Sequence, residues 1–425
     1  MNRLLKIDER GLSIDGVYAV ELAAKFDTPL YVLSERRIRE NYRNLKSTLT
    51  CNYDKVKIYY SAKANTNLSV LKILEEEGSC LDAVSPGEVY LALKAGFTPD
   101  KILFTGTCVR NDELRYLVEA GVTINVDSLS QLDRLLKFTT PSLLSFRVNP
   151  EIGAGHHEHC ITAGRRSKFG IWEEDAPEAY RRAKEAGVER FGIHMHIGSG
   201  ILAVEPFAAA TSKLLDIAGM IHRKVEVTFD FIDVGGGLGV PYRPGEKELD
   251  LESYAKEIST LIKRKTRDYG LGEPSLFIEP GRYIVCDAGV LLTTVNTIKL
   301  TPFKCIIGVD AGFNTLLRPA MYGSYHHILL ANRPGGGREA VYDLAGPLCE
   351  SGDLLAVDRQ LPEVREGDLI AILNAGAYGY SMSSQYNSRP RAGEVLVKDG
   401  MYALVRRRES LESLAAGQEI APWLR

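Results

Sequence analysis

Residues 56–67 read VKIYYSAKANTN, and the rest of the chain is arranged around this stretch. Val56, Ile58, Tyr59 and Tyr60 are the apolar, β-favouring side chains of a buried strand, and Lys63 stands where that strand should end. An unpaired ammonium is costly to bury, so a lysine leaving a core strand either snorkels to water or has a chemical partner. The stretch alone leaves both readings open.

Seven further runs of the same kind follow: LDAVS (81–85), KILFTGT (101–107), VTINVDS (122–128), LLSFRVNP (143–150), FGIHMHIGS (191–199), FDFIDVGGG (229–237) and LFIEPG (276–281). Between them lie segments with helical spacing, among them LSVLKILEEEG, GEVYLALKAG, NDELRYLVEAG and LSQLDRLLKF, several closed by a glycine at the C-cap position. Eight strand-then-helix units in roughly 250 residues predict an α/β fold, a parallel (β/α)8 barrel. A doubly wound open sheet has the same periodicity. The polar residues separate the two, because a barrel gathers every strand's carboxyl end at one mouth, and here nearly every strand ends in reactive or hydrogen-bonding groups.

After about residue 285 the pattern becomes VLLTTVNTIKL, CIIGVDAG, GDLIAIL and EVLVKDGMYALV, with few helical stretches. This predicts a second, mostly β domain over 286–425, a Greek-key-like barrel or sandwich, with the barrel over 31–285. The weak strands of residues 1–30 have no place in a barrel and are expected to join the β domain.

The 425 residues are 45% hydrophobic and carry a formal net charge of -3. That balance offers no basic footprint for nucleic acid and no polybasic patch for a membrane surface, so small-molecule chemistry is favoured. No apolar run approaches the length of a membrane span, and MNRLLKIDERG lacks the apolar core of a secretion signal, which predicts a cytoplasmic address. Seven scattered cysteines without a C-x-x-C pair point to neither a disulfide frame nor a zinc site. The run His156-His157-Glu158-His159 is too local to converge on one ion, so no metal is expected. Its host segment, residues 153–167, is either a loop near the mouth, with its histidines, Arg165 and Arg166 against substrate or partner, or an exposed loop.

The glycine run Gly235-Gly236-Gly237-Leu238-Gly239 follows the seventh strand, where backbone N–H groups can approach a phosphate; a tight turn explains it equally well. Arg282 after the eighth strand offers a fork of donors to an anion, and Ser199 a hydroxyl, which together sketch a phosphate cup that Tyr378 closes from the second domain. With a phosphorylated aldehyde in that mouth, Lys63 can form a Schiff base, and Glu279 can keep a pyridine nitrogen protonated so that the ring is a stronger electron sink. His196 supplies a flat face for a ring; a hydrogen-bonded core histidine is the plainer reading, and the one applied to His194.

Nine ordered motifs now resemble the fold-type III pyridoxal-phosphate decarboxylases: YYSAKANTNLSVLKIL, DAVSPGEVYLALKAGF, RVNP followed by SKFGI, GIHMHIGSGI, IDVGGGLGVPY, EPGRYIV, RPAMYGSYHHI, GPLCESGD and GAYGYSMSSQYNSRPR. The resemblance is strongest to the members that convert meso-2,6-diaminopimelate to L-lysine in lysine biosynthesis, and it covers nearly the whole chain. It implies pyridoxal 5'-phosphate as cofactor and a homodimer with shared active sites. It makes Lys63 the Schiff-base lysine, His196 the stacking residue and Glu279 the pyridine partner, with Ser199, Gly236, Gly237, Arg282 and Tyr378 as phosphate or cofactor contacts. For the substrate it implies Arg282, Arg318 and Tyr322 on carboxylates and Glu350 on the distal amino group, with Tyr378 a further substrate contact. Cys349 resembles the acid that returns the proton, and in relatives it and Glu350 reach in from the partner subunit. Gly198-Ser199-Gly200 departs from the usual Gly-Ser-Gln; a glycine there resembles ornithine decarboxylases. The alternatives are therefore a decarboxylase of ornithine, lysine or arginine, or a cofactor-free regulatory homologue, against which the presence of Lys63, Glu279, Arg282 and Cys349 argues.

Overall fold

The computed structural model describes residues 4–155, 162–165, 167–333 and 339–424. The chain divides into two compact units, one made of residues 38–241 and 245–285, the other of the residues up to Arg37, Tyr242–Pro244 and Cys286 onward.

The first unit is a closed barrel of eight parallel strands: β1 (Val56–Ser61), β2 (Cys80–Ala83), β3 (Ile102–Phe104), β4 (Thr123–Val126), β5 (Leu143–Arg147), β6 (Arg190–His194), β7 (Phe231–Asp233) and β8 (Ser275–Ile278). Each strand pairs with its neighbours in sequence, and β8 closes on β1 through Phe277 opposite Lys57. Closure removes the open-sheet alternative. The helices start and stop where local chemistry says they should. Ser85 Oγ accepts the Glu88 N–H (3.2 Å) ahead of the helix Pro86–Ala95, which ends at Gly96 in the left-handed region, φ 106°. Gly121 does the same for Asn111–Ala120 at φ 73°.

One end of the barrel interior is plugged by Tyr59, Cys80, Leu103, Phe231 and Phe277. The Phe231 and Phe277 rings stack at 4.2 Å. Gly192 on β6 makes the space, since a Cβ there would lie 2.1 Å from the Phe231 ring. Burying an aromatic side chain this fully contributes about 1.5–3 kcal/mol, so the plug is a main source of barrel stability.

In the second unit the central strand is β9 (Gly289–Leu300). It pairs antiparallel with Leu30–Ser34, with β10 (Cys305–Val309) and with Leu369–Ile372. Leu30–Ser34 in turn lies parallel to Gly393–Lys398, so an N-terminal strand sits inside the sheet built by the C-terminal residues. One apolar cluster, including Leu291, Ile307, Leu344 and Ile370, fills one side, and Leu12, Leu22, Val32 and Val395 belong to another. Among the described residues no helix is long and apolar enough to cross a membrane.

Candidate active site

Strand register brings the polar residues of the barrel to one level. Ser61 is opposite Asp82 in the β1–β2 pair, and His194 is opposite both Arg147 on β5 and Asp233 on β7. Lys63 follows β1 in a short 3-10 turn, Ala62–Ala64, and its Nζ donates to Asp82 Oδ2 at 2.6 Å. Asp82 is fully buried and also accepts from Thr105 Oγ1 (2.5 Å) and Ser61 Oγ (3.1 Å). Lys63 thus has a buried chemical partner while its side chain stays one-third exposed. An ion pair of this kind holds the amine in one place; removing one partner leaves an uncompensated buried charge.

Glu279, just past β8, is buried and accepts from His194 Nε2 at 3.2 Å. The Asn125 amide nitrogen lies 3.1 Å from the other ring nitrogen of His194. The other Glu279 oxygen, Oε1, is buried without a hydrogen-bond partner. Burial alone would raise the Glu279 pKa, but the charge and hydrogen bond of His194, then Lys63 and Arg147, outweigh it and hold the group below its ordinary value. Asp233 goes the other way: burial and the neighbouring Glu279 charge raise it well above the usual carboxylate range. Among the described residues His194, Asp233 and Glu279 are also the one group whose ligating atoms crowd within 4.8 Å of one another. Here the His194 hydrogen bond to Glu279 and the raised Asp233 pKa answer the crowding.

Arg147 is buried above the Phe169 ring at 4.4 Å. Burial lowers its pKa, against the charges of Asp127, Glu279, Asp82 and Asp233 that surround it. His196 is held well below its ordinary pKa, by burial first and then by Arg147, Lys63 and His194. It is therefore neutral. Its Nδ1 meets Thr162 Oγ1 at 2.7 Å, and the same hydroxyl donates to the His196 carbonyl (2.9 Å), so Nδ1 carries the proton. Glu88 accepts the Val84 N–H, and burial raises its pKa to about 7.

The glycine run forms a cradle that side chains would fill. A Cβ on Gly236 would sit 2.1 Å from the Glu279 carbonyl oxygen, and one on Gly235, at φ 72°, would sit 2.4 Å from the Met195 carbonyl. The His196 ring lies against both. Arg282 is buried and donates to Ser199 Oγ at 3.0 Å, so these two anion-binding candidates meet. Gly200 has φ 78°, a backbone that glycine adopts freely and glutamine would not, which gives the departure from Gly-Ser-Gln a conformational reason.

Two further groups lie in the β unit. Arg318 is 1% exposed, donates to Ser324 Oγ at 3.1 Å and has a buried Nε without a hydrogen-bond partner. The rings of Tyr242, Tyr322 and Tyr378 lie 5.5, 5.8 and 5.9 Å from its guanidinium. Tyr378 itself is held at φ 59° between Ala377 and Gly379. Cys349 and Glu350 occupy an exposed turn beside Tyr386 and Asn387. Of the 153–167 segment, Arg165 is exposed and 3.7 Å from Glu151, while His156, His157, Glu158, His159, Cys160 and Arg166 lie outside the described residues.

The sequence-predicted residues thus fall into three clusters: Lys63, His196, Ser199, Gly236, Gly237, Glu279 and Arg282 in the barrel; Arg318, Tyr322 and Tyr378; and Cys349 with Glu350. Sequence reasoning missed Asp82, Arg147, Asp233, Asn125 and Thr105, and it left His194 structural although His194 holds Glu279. The available signal was a polar residue at or near the end of an otherwise apolar strand, as in LDAV, LSFR and FID.

These residues fit a phosphorylated pyridine aldehyde. The Glu279 Oε1 is a buried acceptor without a hydrogen-bond partner, suited to a ring N–H, the Gly235–Gly237 backbone is a run of the kind that binds phosphate through its N–H groups, and Lys63 is an amine after a strand of the same barrel. Fold and site define a (β/α)8-barrel enzyme suited to a carbonyl cofactor.

The family model for the pyridoxal-binding domain of pyridoxal-dependent decarboxylases matches residues 35–286. The diaminopimelate decarboxylase of Methanothermobacter thermautotrophicus is 58% identical over 98% of this chain and 97% of its own length, and that of Archaeoglobus fulgidus is 42% identical over 97% and 98%. The crystal structure of diaminopimelate decarboxylase from M. jannaschii in complex with L-lysine superimposes with a TM-score of 0.93 at 35% identity, covering 100% of this chain and 99% of that one. The chain belongs to the diaminopimelate decarboxylase family of pyridoxal-dependent decarboxylases. Its cofactor is pyridoxal phosphate and its substrate an amino acid.

Proposed function

We propose that this chain is a cytoplasmic homodimer that decarboxylates meso-2,6-diaminopimelate to L-lysine, its active sites shared between subunits. The observation that carries the substrate is Arg318, a fully buried guanidinium whose Nε lacks a hydrogen-bond partner among three tyrosine rings. A buried cation with spare donors calls for an anion, and diaminopimelate has a distal carboxylate where lysine and ornithine have none. Residues matching those in the family carry the remaining roles.

Bound pyridoxal phosphate supplies an aldehyde for the substrate amine and a ring that accepts the electron pair released with carbon dioxide. Lys63 would hold the cofactor through its amine, and Asp82, 2.6 Å from that nitrogen, would keep it in position. Glu279, set by His194 and held below its ordinary pKa, would keep a proton on the ring nitrogen. Neutral His196 offers an uncharged face beside the glycine cradle. Ser199, Gly236, Gly237, Arg282 and Tyr378 bind the phosphate. Arg282, Arg318, Tyr322 and Tyr378 read the substrate carboxylates, and Glu350 reads the distal ammonium. Cys349 delivers the proton that replaces carbon dioxide.

Carbon dioxide release from diaminopimelate, lysine, ornithine and arginine tests this reading. A site that hydrogen-bonds a distal group rejects analogues lacking it by about 10⁴-fold, so diaminopimelate alone should turn over appreciably. Preference for ornithine, lysine or arginine would overturn the substrate, and no release from any of them would favour the regulatory homologue.

A further inference from the structure

The turn bearing Cys349 is built with more care than an exposed turn needs. Asp353 is buried and accepts the N–H groups of Phe313 (2.6 Å) and Leu348 (2.8 Å), which ties the turn to the loop after β10. From the other side Asn387 grips Cys349 twice. Its Oδ1 accepts the Cys349 N–H at 3.1 Å, and its Nδ2 donates to Cys349 Sγ at 3.2 Å. Next to it, Tyr386 OH donates to Glu350 Oε1 at 2.5 Å and lies 3.9 Å from Cys349 Sγ, with its ring stacked on Phe313 at 5.4 Å. To present these groups Asn387 and Ser388 both adopt φ 55°, a region a non-glycine residue enters at a cost in backbone energy. A carboxamide accepts at its oxygen and donates from its nitrogen, and of the two carboxamide residues asparagine also tolerates the left-handed backbone.

We propose that Asn387 is a positioning residue for the Cys349 thiol, holding its backbone in register and its sulfur in one direction so that the proton reaches the substrate carbon. The inference rests on the reading of Cys349 as the proton donor. A thiol that gives up its proton becomes a thiolate, and a hydrogen bond donated to sulfur favours that charged form. Loss of carbon dioxide leaves one electron pair that must take one proton. Taken at the substrate carbon, the product is the amine. Taken at the cofactor's aldehyde carbon, water then releases a carbonyl compound and leaves pyridoxamine phosphate. Asn387 therefore biases the partition between these two ends, a quantity that does not depend on how much enzyme is folded.

The test measures lysine formed against pyridoxamine phosphate formed in holoenzyme carrying N387G, N387D, C349A or N387G with C349A. Glycine keeps the left-handed backbone and removes the amide, and aspartate keeps the oxygen but loses the donor to sulfur. N387G and N387D should each raise the pyridoxamine share about tenfold to a hundredfold, the range for losing one hydrogen bond to a developing charge, and N387G should add nothing in the C349A background. An unchanged partition in N387G with a shifted one in C349A would overturn the role of Asn387 and leave Cys349 as donor. An equal N387G effect with and without Cys349 would overturn it too, and an unchanged partition in C349A would overturn the reading of Cys349 on which it rests.

Discussion

Replacing Asp233 with asparagine should change how stability depends on pH. Asp233 is fully buried beside Glu279, and burial with that neighbouring charge raises its pKa far above the ordinary 3.8. In the folded chain it holds its proton to higher pH than in the unfolded chain, where it ionises as an ordinary aspartate. The unfolded state then binds fewer protons, so Asp233's contribution is fully present below about pH 4 and is lost as pH rises, at about 1.4 kcal/mol per unit, until the folded pKa is reached. Asparagine cannot ionise. Above about pH 4, D233N should therefore gain stability relative to the wild type at about 1.4 kcal/mol per pH unit until the folded pKa is reached, whatever constant offset the substitution brings. Urea unfolding of both proteins without cofactor measures this difference, with no ligand linkage to correct. Glu88, raised to about 7, also titrates, but it is common to both proteins and cancels. A difference independent of pH would mean that Asp233 is ionised in the fold, and the reasoning about the paired carboxylates would fail.

Other expectations follow from the same geometry. Glu279→Gln replaces an acceptor for the ring proton with a group that does not hold it, and should lower kcat by about a hundredfold to a thousandfold while cofactor absorbance persists; unchanged kcat would remove Glu279 from the mechanism. Arg318→Ala should reduce kcat/KM for diaminopimelate by about a hundredfold or more, because a buried charge partner is lost. A loss confined to stability would make Arg318 structural. Phe231→Ala empties the barrel plug beside Gly192 and should cost about 3–5 kcal/mol in denaturant unfolding, with substrate preference unchanged.

The strands were legible in the sequence because each is a short apolar run bounded by glycine, proline or polar residues, and all eight occur where the periodicity places them. Barrel closure was legible only through the chemistry at the strand ends, since Phe277 opposite Lys57 is a pairing between residues 220 positions apart. Lys63 and Glu279 stood out as charges ending apolar runs. Asp82, Arg147 and Asp233 did not, although they end strands too, because their meaning lies in register: Asp82 matters through Ser61 and Lys63, Asp233 through His194 and Glu279. His194 was read as a core histidine, and it is buried; its hydrogen bond to Glu279 depends on a neighbour 85 residues away. The Asn387 grip on Cys349 was hidden for the same reason, the two being 38 residues apart in different turns.

The central claim is that the Lys63 amine bonds to the cofactor aldehyde. Reducing the purified yellow holoenzyme with borohydride and mapping the adduct by peptide mass tests it directly. The expected result is a phosphopyridoxyl group on Lys63 alone, with K63A carrying none and lacking the visible absorbance. An adduct on another lysine, or a Lys63→Ala protein that stays yellow and active, would contradict the account.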